Sequence, residues 1–355
     1  MRIYLSCLIC AIVIVVSTSA SVASASASLS AQAPEASAIA PTPVMLEQVL
    51  VSGEQPGPGM WKVSKADHVL WIIGTQSPMP KKMTWRAKQV DAIVAQSQEI
   101  ITGPSVSVSM KQIGFFKTLF LIPSAMEARK NPDGATLRSI IPADLYTRWL
   151  VLRDKYIGDY QDDESDIERW RPMFAAMELY TKAINKAGLT SSNLVLVAVT
   201  DRAKKYKVKL TAVKVEPAIG DARAAINELK SSRLADTDCF AKTIERIETD
   251  LDLMRTRANA WATGDIGMIR GLPNTDQRTA CEAAINSASF IKTLGVQNVR
   301  AQMEAAWLNA AESALTNNTV TLAILPIEQM LKSDGYLAKL KAKGYSVQEP
   351  DSATE

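Results

Sequence analysis

The sequence predicts an α/β (α+β) fold, with a central mixed sheet, an amino-terminal hairpin and a large helical insertion. Three observations predict it. Short apolar segments typical of strands alternate with longer segments of helical period. The first two strands flank a short polar turn, which is typical of a hairpin. Between about residues 218 and 314 the pattern is nearly all helical, which indicates the insertion.

The composition is that of a globular protein. Of the 355 residues, 47% are hydrophobic and 22% are charged, enough to bury a sizeable core in one large domain or two small ones. The 40 basic and 37 acidic side chains leave a net charge of +3. So small a charge predicts neither nucleic acid nor an anionic membrane as a partner.

The first 25 residues have the layout of a secretory signal peptide. Arg2 supplies the charged start, the run from Leu8 to Val16 supplies the apolar centre, and small residues with cleavage options follow. The apolar run is shorter than the roughly 20 residues that a membrane-spanning helix needs. We therefore expect a periplasmic or secreted protein that keeps no stable membrane anchor after cleavage.

A linker and a single domain are predicted after the signal peptide. Residues 26–59 are rich in Ala, Ser and Pro, and most of this segment buries too little apolar surface to offset the entropy of ordering. We predict a flexible linker there. Residues 60–348 form the folded domain, and residues 349–355 form a carboxyl-terminal tail.

Two cysteines remain once the signal peptide is removed. Cys7 and Cys10 leave with it, whereas Cys239 and Cys281 stay in the domain. Two thiols in an oxidising compartment pair more often than they stay free, so we predict a disulfide. The alternative is two buried free thiols.

The hairpin and the turn after it open the domain. Two short apolar strands flank the polar turn from Ser64 to His68, and Gly74 ends the second strand. Pro78 and Pro80 keep the next residues extended before a segment of helical period. The carboxyl end of such a strand lies at the rim of an α/β sheet, where ligands bind. The candidate binding residues at this rim are Gly74, Thr75, Gln76 and Ser77.

Four further strands are predicted. Residues 99–102 form a short apolar segment, and residues 207–216 alternate in the manner of a half-buried strand that ends at Glu216. The last two strands are predicted over residues 319–325 and 345–348. If the two ends of the chain share one site, we expect the first and last strands to be neighbours.

Helices fill the space between the strands. Residues 110–121 are rich in phenylalanine, and we interpret them as a buried helix, with a membrane-facing or ligand-lining surface as the alternative. Pro172 either kinks the helix predicted over residues 164–186 or marks its true start. The remaining helices are predicted over residues 142–156, 190–206, 219–232, 236–263, 276–294 and 296–316.

Several segments resemble one family. The hairpin followed by Gly74-Thr75-Gln76-Ser77 resembles the opening of the TraB/GumN family, which is distantly similar to the Tiki metalloproteases. In that family the hairpin ends in a Gly-x-x-His motif. Here Ser77 stands at the histidine position. The resemblance covers about residues 60–347 and is strongest at the two ends.

The later segments continue this resemblance. Trp261 to Asp265 resembles a W-x-x-G-D element of the family, and Glu216 stands where a Gly-Leu-Glu element is common. The strand before Pro326, the helix led by Gly335 and the closing G-Y-x-V strand resemble the family's carboxyl end. Counting back from Gly335 places Gln329 at the second histidine and Pro326 at its glycine.

The residues at the two motif positions argue against a transition-metal site. Metals in the related proteases need imidazole and carboxylate ligands, and the neutral side chains of Ser77 and Gln329 are weak ligands. We therefore predict no metal and no other cofactor. The single histidine, His68, precedes the second strand and is expected to be a surface turn residue.

Three interpretations of the function remain open. The first is a non-catalytic relative, a pseudoenzyme, that keeps a pocket for an unknown small-molecule or peptide ligand. The second is an active hydrolase with a carboxylate-based site, in which Glu216 and Glu328 are the catalytic candidates. There Glu216 would pair with either Glu328 or Glu99 for acid/base work if the strand ends converge. The third is an accessory role in exopolysaccharide assembly, which only the family resemblance implies.

Overall fold

The computed structural model describes residues 57–107, 115–158, 167–273, 277–296 and 298–350. The predicted signal peptide and most of the predicted linker lie outside these ranges. The architecture is mixed α/β, as predicted, with helices around a central six-stranded sheet.

The described residues contain ten strands. These are β1 (Met60–Lys65), β2 (His68–Thr75), β3 (Met79–Pro80), β4 (Glu99–Ile101), β5 (Ser105–Val106), β6 (Leu189–Thr190), β7 (Lys209–Thr211), β8 (Lys214–Val215), β9 (Val320–Pro326) and β10 (Ser346–Gln348). The central sheet has the order β10-β1-β2-β9-β4-β7, while β3 pairs with β6 and β5 pairs with β8 in two short ladders.

The helices of the described residues surround this sheet. They are α1 (Lys88–Gln96), α2 (Phe115–Glu127), α3 (Leu137–Ile140), α4 (Ala143–Tyr156), α5 (Pro172–Lys186), α6 (Leu194–Tyr206), α7 (Ala222–Ser231), α8 (Thr237–Thr249), α9 (Leu251–Thr263), α10 (Ile266–Gly271), α11 (Gln277–Ser287), α12 (Ser289–Leu294), α13 (Val299–Asn317), α14 (Ile327–Met330) and α15 (Tyr336–Ala342). None of the helices in these ranges is both long and apolar enough to cross a membrane.

The hairpin and the neighbouring strands follow the prediction. Strands β1 and β2 pair antiparallel, with Lys65 opposite His68 at the turn. Strand β1 also pairs with β10, the last strand of the chain. Strands β2 and β9 run parallel, so that Thr75 lies opposite Pro326. The two segments that carry the family motifs therefore leave the same edge of the sheet from adjacent strands.

The core lies on both sides of the central strands. Four consecutive residues of β9, from Leu322 to Leu325, are all buried. Because successive side chains of a strand point to opposite faces, both faces of this strand are covered. Helices α1 and α13 both contact β9 and contribute apolar residues to the same core.

The predicted strand over residues 207–216 is divided in two. Strand β7 pairs with β4 in the central sheet, whereas β8 pairs with β5 outside it. The chain changes partner at the buried Val213, whose backbone N–H donates to Thr102 Oγ1. The alternating pattern continues through this change, which is why the sequence predicted one strand.

Two predicted helices are also divided, and one begins later than its periodicity indicates. Asp250 separates α8 from α9 with φ −104° and ψ −6°. Ala288 separates α11 from α12 with an extended backbone. Helix α5 begins at Pro172, which confirms that this proline marks a helix start. Hydrophobic periodicity does not register a break of one residue.

Helix α2 is only partly buried. Leu121 and Ala125 pack against α7 and α12, but Phe120 is 73% exposed. Residues 110–114 of the predicted buried helix lie outside the described residues, and the prediction of burial is wrong at Phe120.

The ends of the described domain differ slightly from the predicted boundaries. Gly57, predicted to belong to the linker, is buried and donates a backbone hydrogen bond to Ala262 at 3.1 Å. Glu349, predicted to begin the tail, forms an ion pair with Arg270 at 2.6 Å. Packing therefore extends a few residues beyond the strand pattern at each end.

Candidate functional site

The two motif segments contact each other at the carboxyl ends of β2 and β9. A Cβ atom built on Gly74 would lie 3.0 Å from Cβ of Ile327, which is tighter than ordinary van der Waals contact. Gly74 thus permits the close approach of α14 to the end of β2. A larger residue at this position would crowd Ile327, so the fold favours glycine there.

Gly335 fixes the second motif segment in a similar way. Its φ of −75° and ψ of −174° are extended values that any residue adopts. A Cβ atom there would overlap the backbone carbonyl oxygen of Gln329. The glycine before α15 is therefore required by space and not by conformation. It holds the turn after Gln329 close to the start of α15.

The W-x-x-G-D segment supports the first motif segment. The buried indole of Trp261 donates a hydrogen bond from Nε1 to the Gly74 carbonyl at 2.7 Å, and it packs edge-on against Trp85. Gly264 ends α9 in the left-handed region, with φ 75°. Asp265 caps α10 by accepting a hydrogen bond from the Met268 N–H. These residues have structural roles next to the site.

The side chains of Gln76 and Ser77, the two predicted binding residues after β2, each donate a hydrogen bond to a backbone carbonyl. Gln76 is 7% exposed, and its Nε2 donates to the Ser77 carbonyl at 3.3 Å. The Ser77 side chain is exposed, and its Oγ donates to the Ser191 carbonyl at 3.5 Å. The peptide bond between Ser77 and Pro78 is cis.

A cavity of about 500 Å³ lies beside the carboxyl ends of several strands. Pro104 follows β4, Pro217 follows β8, and Pro326 ends β9, and all three line the cavity. Helices α7, α11, α12 and α13 supply much of the remaining wall. Its apolar side chains include Ala225, Ile226, Leu229, Ile285, Phe290, Ile291, Leu294, Val299 and Met303, and its polar ones include Arg278, Glu282, Asn286, Arg300 and Gln329.

Gln329 connects this cavity to the second motif. It follows β9 within α14, is half-buried, and lines the cavity together with Pro326 and Tyr336. Neither Ser77 nor Glu216 is among the described residues that line the cavity. The structure thus brings the two motif segments to one edge of the sheet, and the second of them forms part of the cavity wall.

The two candidate catalytic carboxylates are separate features. Glu216 follows β8 and is exposed, next to the buried Pro217 that lines the cavity. Glu328 is exposed on α14, and its charge raises the pKa of Arg257, although burial lowers that pKa overall. Neither carboxylate is part of the cavity lining in the described chain.

Glu99 and His68 lie at the amino ends of their strands, opposite the carboxyl ends from which the motif segments leave the sheet. Glu99 begins β4 opposite Thr321, near the amino end of β9. Pro326 comes five positions after Thr321 along the strand, which corresponds to roughly 16 Å. His68 begins β2, with its Nε2 3.7 Å from Asp67 Oδ1. The suggestion that Glu99 meets Glu216 at one site is therefore wrong, because Glu99 lies at the other end of the strands.

Comparison with known proteins now gives the family. A family model described as the TraB/PrgY/gumN family matches residues 59–349, which is most of the chain. The chain belongs to the TraB/PrgY/gumN family. No curated protein and no solved structure matched it. Family membership confirms the resemblance drawn from the two end segments.

The metal that the TraB/PrgY/gumN resemblance implies does not fit the residues of this chain. Ser77 and Gln329 stand at the two histidine positions and carry a neutral hydroxyl and a neutral amide, respectively. The Ser77 hydroxyl donates a hydrogen bond to the Ser191 backbone carbonyl. Within the described ranges, no group of three or more His, Cys, Asp or Glu side chains is arranged to hold a metal ion. We derive no metal-dependent step for this member of the family.

Arg255, Arg257 and Arg270, which lie near the W-x-x-G-D segment in the sequence, do not form one anion site. Arg255 pairs with Asp252 and donates to the Ala187 carbonyl, each at 2.6 Å. Arg257 is buried and donates to the Pro273 carbonyl at 2.5 Å. Arg270 pairs with Glu349. Each guanidinium therefore has its own partner in the fold.

Most of the cavity wall was missed by the sequence analysis. Many of its residues come from α7, α11, α12 and α13, where the sequence predicted helices with apolar faces but did not indicate which faces meet. The one signal that pointed to this region was the position of Gln329 after the last long strand. The wall residues themselves match no motif that is specific to a ligand.

Proposed function

We propose that this TraB/PrgY/gumN member is a non-catalytic binding protein whose ligand occupies the cavity beside the carboxyl ends of the strands. The observation that carries this proposal is a cavity of about 500 Å³, with a mainly apolar wall, that includes the second motif residue Gln329. Cavities of about 300–1,000 Å³ with apolar walls and a few polar groups are typical of small-molecule sites.

The chemistry of the motif residues supports the non-catalytic part of the proposal. Neither Ser77 nor Gln329 supplies an imidazole for a metal or for proton transfer near pH 7. Glu216 and Glu328 are exposed and do not line the cavity within the described chain. In the described structure these two glutamates are therefore not a buried pair of the kind that a carboxylate-based hydrolase needs.

We further propose that the chain works outside the cytoplasm. Cys239 on α8 and Cys281 on α11 are joined by a disulfide. Structural disulfides persist mainly in oxidising compartments, and the predicted signal peptide agrees with such a location. Amino-terminal sequencing of the protein recovered from its native host checks this part of the proposal, because a start near residue 26 indicates signal cleavage.

Nile red, a neutral apolar dye that fluoresces when it leaves water, tests the binding function. We expect saturable binding to the purified protein with one site. Ala225→Trp places a bulky side chain in the cavity from its buried wall and should reduce the affinity at least tenfold. Asn286→Trp should reduce the affinity as much from the exposed rim, where a substitution is less disruptive to folding. Ala92→Trp, an exposed position on α1, is the matched control and should leave binding unchanged.

Two results would overturn this proposal. The first is dye binding that is absent, or equally strong in all three tryptophan variants when circular dichroism shows each to be folded. The second is hydrolysis of casein or a nitrophenyl ester, with or without added Zn²⁺ or Mn²⁺, that is lost in Glu216→Gln or Glu328→Gln. The second result would establish the hydrolase instead.

A further inference from the structure

The charged residues of the cavity lie at its rim and the apolar residues form its floor. Ala225, Phe290 and Leu294 are buried at the base of the cavity. Arg278 is exposed, and Arg300 has a 63% exposed side chain. A molecule that fills this cavity would therefore have an apolar part in the floor and a polar part at the mouth.

The mouth carries an excess of positive charge. Three charged side chains line the cavity, two arginines and Glu282. Arg300 pairs with Glu282 at 2.8 Å, which balances these two charges. Within the described residues no ion pair or hydrogen bond joins Arg278 to another side chain. Arg278, on α11 one turn before Glu282, therefore supplies an uncompensated cation.

We propose that the cavity binds a single-chain alkyl anion, with the hydrocarbon chain against the apolar floor and the anionic head group at Arg278. This inference rests on the proposed binding function and specifies its ligand class. A guanidinium at the mouth forms charge-assisted hydrogen bonds with a carboxylate or phosphate head group. Each methylene that moves from water onto the apolar floor makes the free energy of binding more favourable.

The apolar side chains of the floor favour a hydrocarbon chain over a polar ligand. Its side chains, such as Leu229, Ile291 and Phe290, have no hydrogen-bonding groups. A sugar or a peptide backbone placed there would lose its hydrogen bonds to water without replacement. Gln329 and Asn286 are neutral polar groups in the lining. The ligand class that satisfies both the floor and Arg278 is an apolar chain with one anionic end.

The chain length of the ligand gives the first test. We would titrate the full protein with octanoate, decanoate and dodecanoate below their micelle concentrations, by calorimetry and by displacement of Nile red. The dissociation constant should fall by about fourfold for each added methylene until the cavity is full. Dodecanoate and dodecyl phosphate are then compared. The ligand with the lower dissociation constant identifies the preferred head group as a carboxylate or a phosphate.

The head group gives the second test. Dodecanoate should bind about three- to tenfold tighter than dodecan-1-ol in buffer of low ionic strength, because only the anion pairs with Arg278. Arg278→Gln should remove this preference and leave dodecan-1-ol binding unchanged. Arg223→Gln, at an exposed position on α7 outside the cavity lining, is the matched control for net charge and should leave the preference intact.

A charge change in the opposite direction completes the test. Glu282→Gln should free Arg300 from its partner and raise the affinity for dodecanoate about threefold, without an effect on dodecan-1-ol. Equal binding of alcohol and carboxylate, or an Arg278→Gln variant that weakens both ligands equally, would overturn this inference while Nile red binding still supports the cavity. Loss of Nile red binding as well would overturn the proposed function with it.

Discussion

Glu99 begins β4, where three side chains contact its carboxylate. Lys209 Nζ lies 2.8 Å from Oε1, Asn318 Nδ2 donates to Oε2 at 2.9 Å, and the Thr211 hydroxyl also donates to it. Burial opposes ionisation of Glu99, but these contacts outweigh it and hold its pKa below the usual value. The carboxylate therefore joins β4, β7 and the start of β9.

This arrangement makes a pH-dependent contribution to stability. A folded pKa below the unfolded value of about 4.3 means that the stabilisation is present above that pH and is lost as the pH falls through the folded pKa. We expect Glu99→Gln to lower the free energy of unfolding by about 1–2 kcal/mol at pH 7, and by much less near pH 3.5. Urea unfolding followed by circular dichroism at both pH values measures the difference.

Glu216→Gln is the matched control for this prediction. Glu216 is also a strand-end glutamate, but it is exposed and follows β8. Its substitution should change the free energy of unfolding by less than about 0.5 kcal/mol at either pH. A Glu99→Gln cost that does not depend on pH would contradict the role assigned to the Glu99 carboxylate.

Helix α9 connects the insertion to the motif edge of the sheet. The indole of Trp261 spans the space between this helix and the end of β2 through its bond to the Gly74 carbonyl. A buried carbonyl that loses its donor costs more than the hydrogen bond is worth, because no water replaces the donor. The W-x-x-G-D segment of the family therefore acts, in this chain, by holding the first motif segment in place.

Trp261→Phe tests this contact, with Trp307→Phe as its matched control. Both indoles are buried and pack edge-on against an aromatic ring, Trp85 or Tyr336. In the described part of the chain, no acceptor bonds to Trp307 Nε1. We expect Trp261→Phe to lower the free energy of unfolding by about 1–2 kcal/mol more than Trp307→Phe. Urea unfolding measures both, and equal losses would contradict the role of the hydrogen bond.

The helical insertion is closed on itself by a covalent link. The disulfide between Cys239 and Cys281 joins α8 to α11 across a separation of 42 residues, with the two Cα atoms 4.5 Å apart. Cys239 packs against α5, while α11 supplies part of the rim of the cavity. The bond therefore ties the cavity wall to the remainder of the insertion.

Removal of the disulfide should destabilise the whole molecule. A cross-link across a loop of this length restricts the unfolded chain by about 4 kcal/mol in the chain-entropy model, and measured losses are commonly 2–5 kcal/mol. We expect Cys239→Ala combined with Cys281→Ala to lower the free energy of unfolding by 2–4 kcal/mol. Urea unfolding measures it, and added dithiothreitol should destabilise the wild type without affecting the double variant. Equal stability of the two proteins would contradict the prediction.

Local periodicity accounts for much of what was predicted correctly. The hairpin, the start of α5 at Pro172 and the pairing of two cysteines follow from patterns within short segments or from the number of candidates. Breaks at Asp250 and Ala288 were missed because the apolar period continues across them. The roles of Ser77, Gln76 and Gln329 in binding stay predictions.

By itself the sequence determined the class of fold, the order along the chain of the six strands of the central sheet, and the family, because these depend on side-chain type at regular spacing and on short motifs. The tertiary structure alone decided that Glu99 lies at the opposite edge from the motif segments and that Gln329 lines a cavity. A helical or strand period shows which face of an element is apolar, but it does not show which distant face covers it. The cavity exists because α7 and the consecutive helices α11, α12 and α13 pack against the ends of the strands, and that packing depends on the tertiary structure.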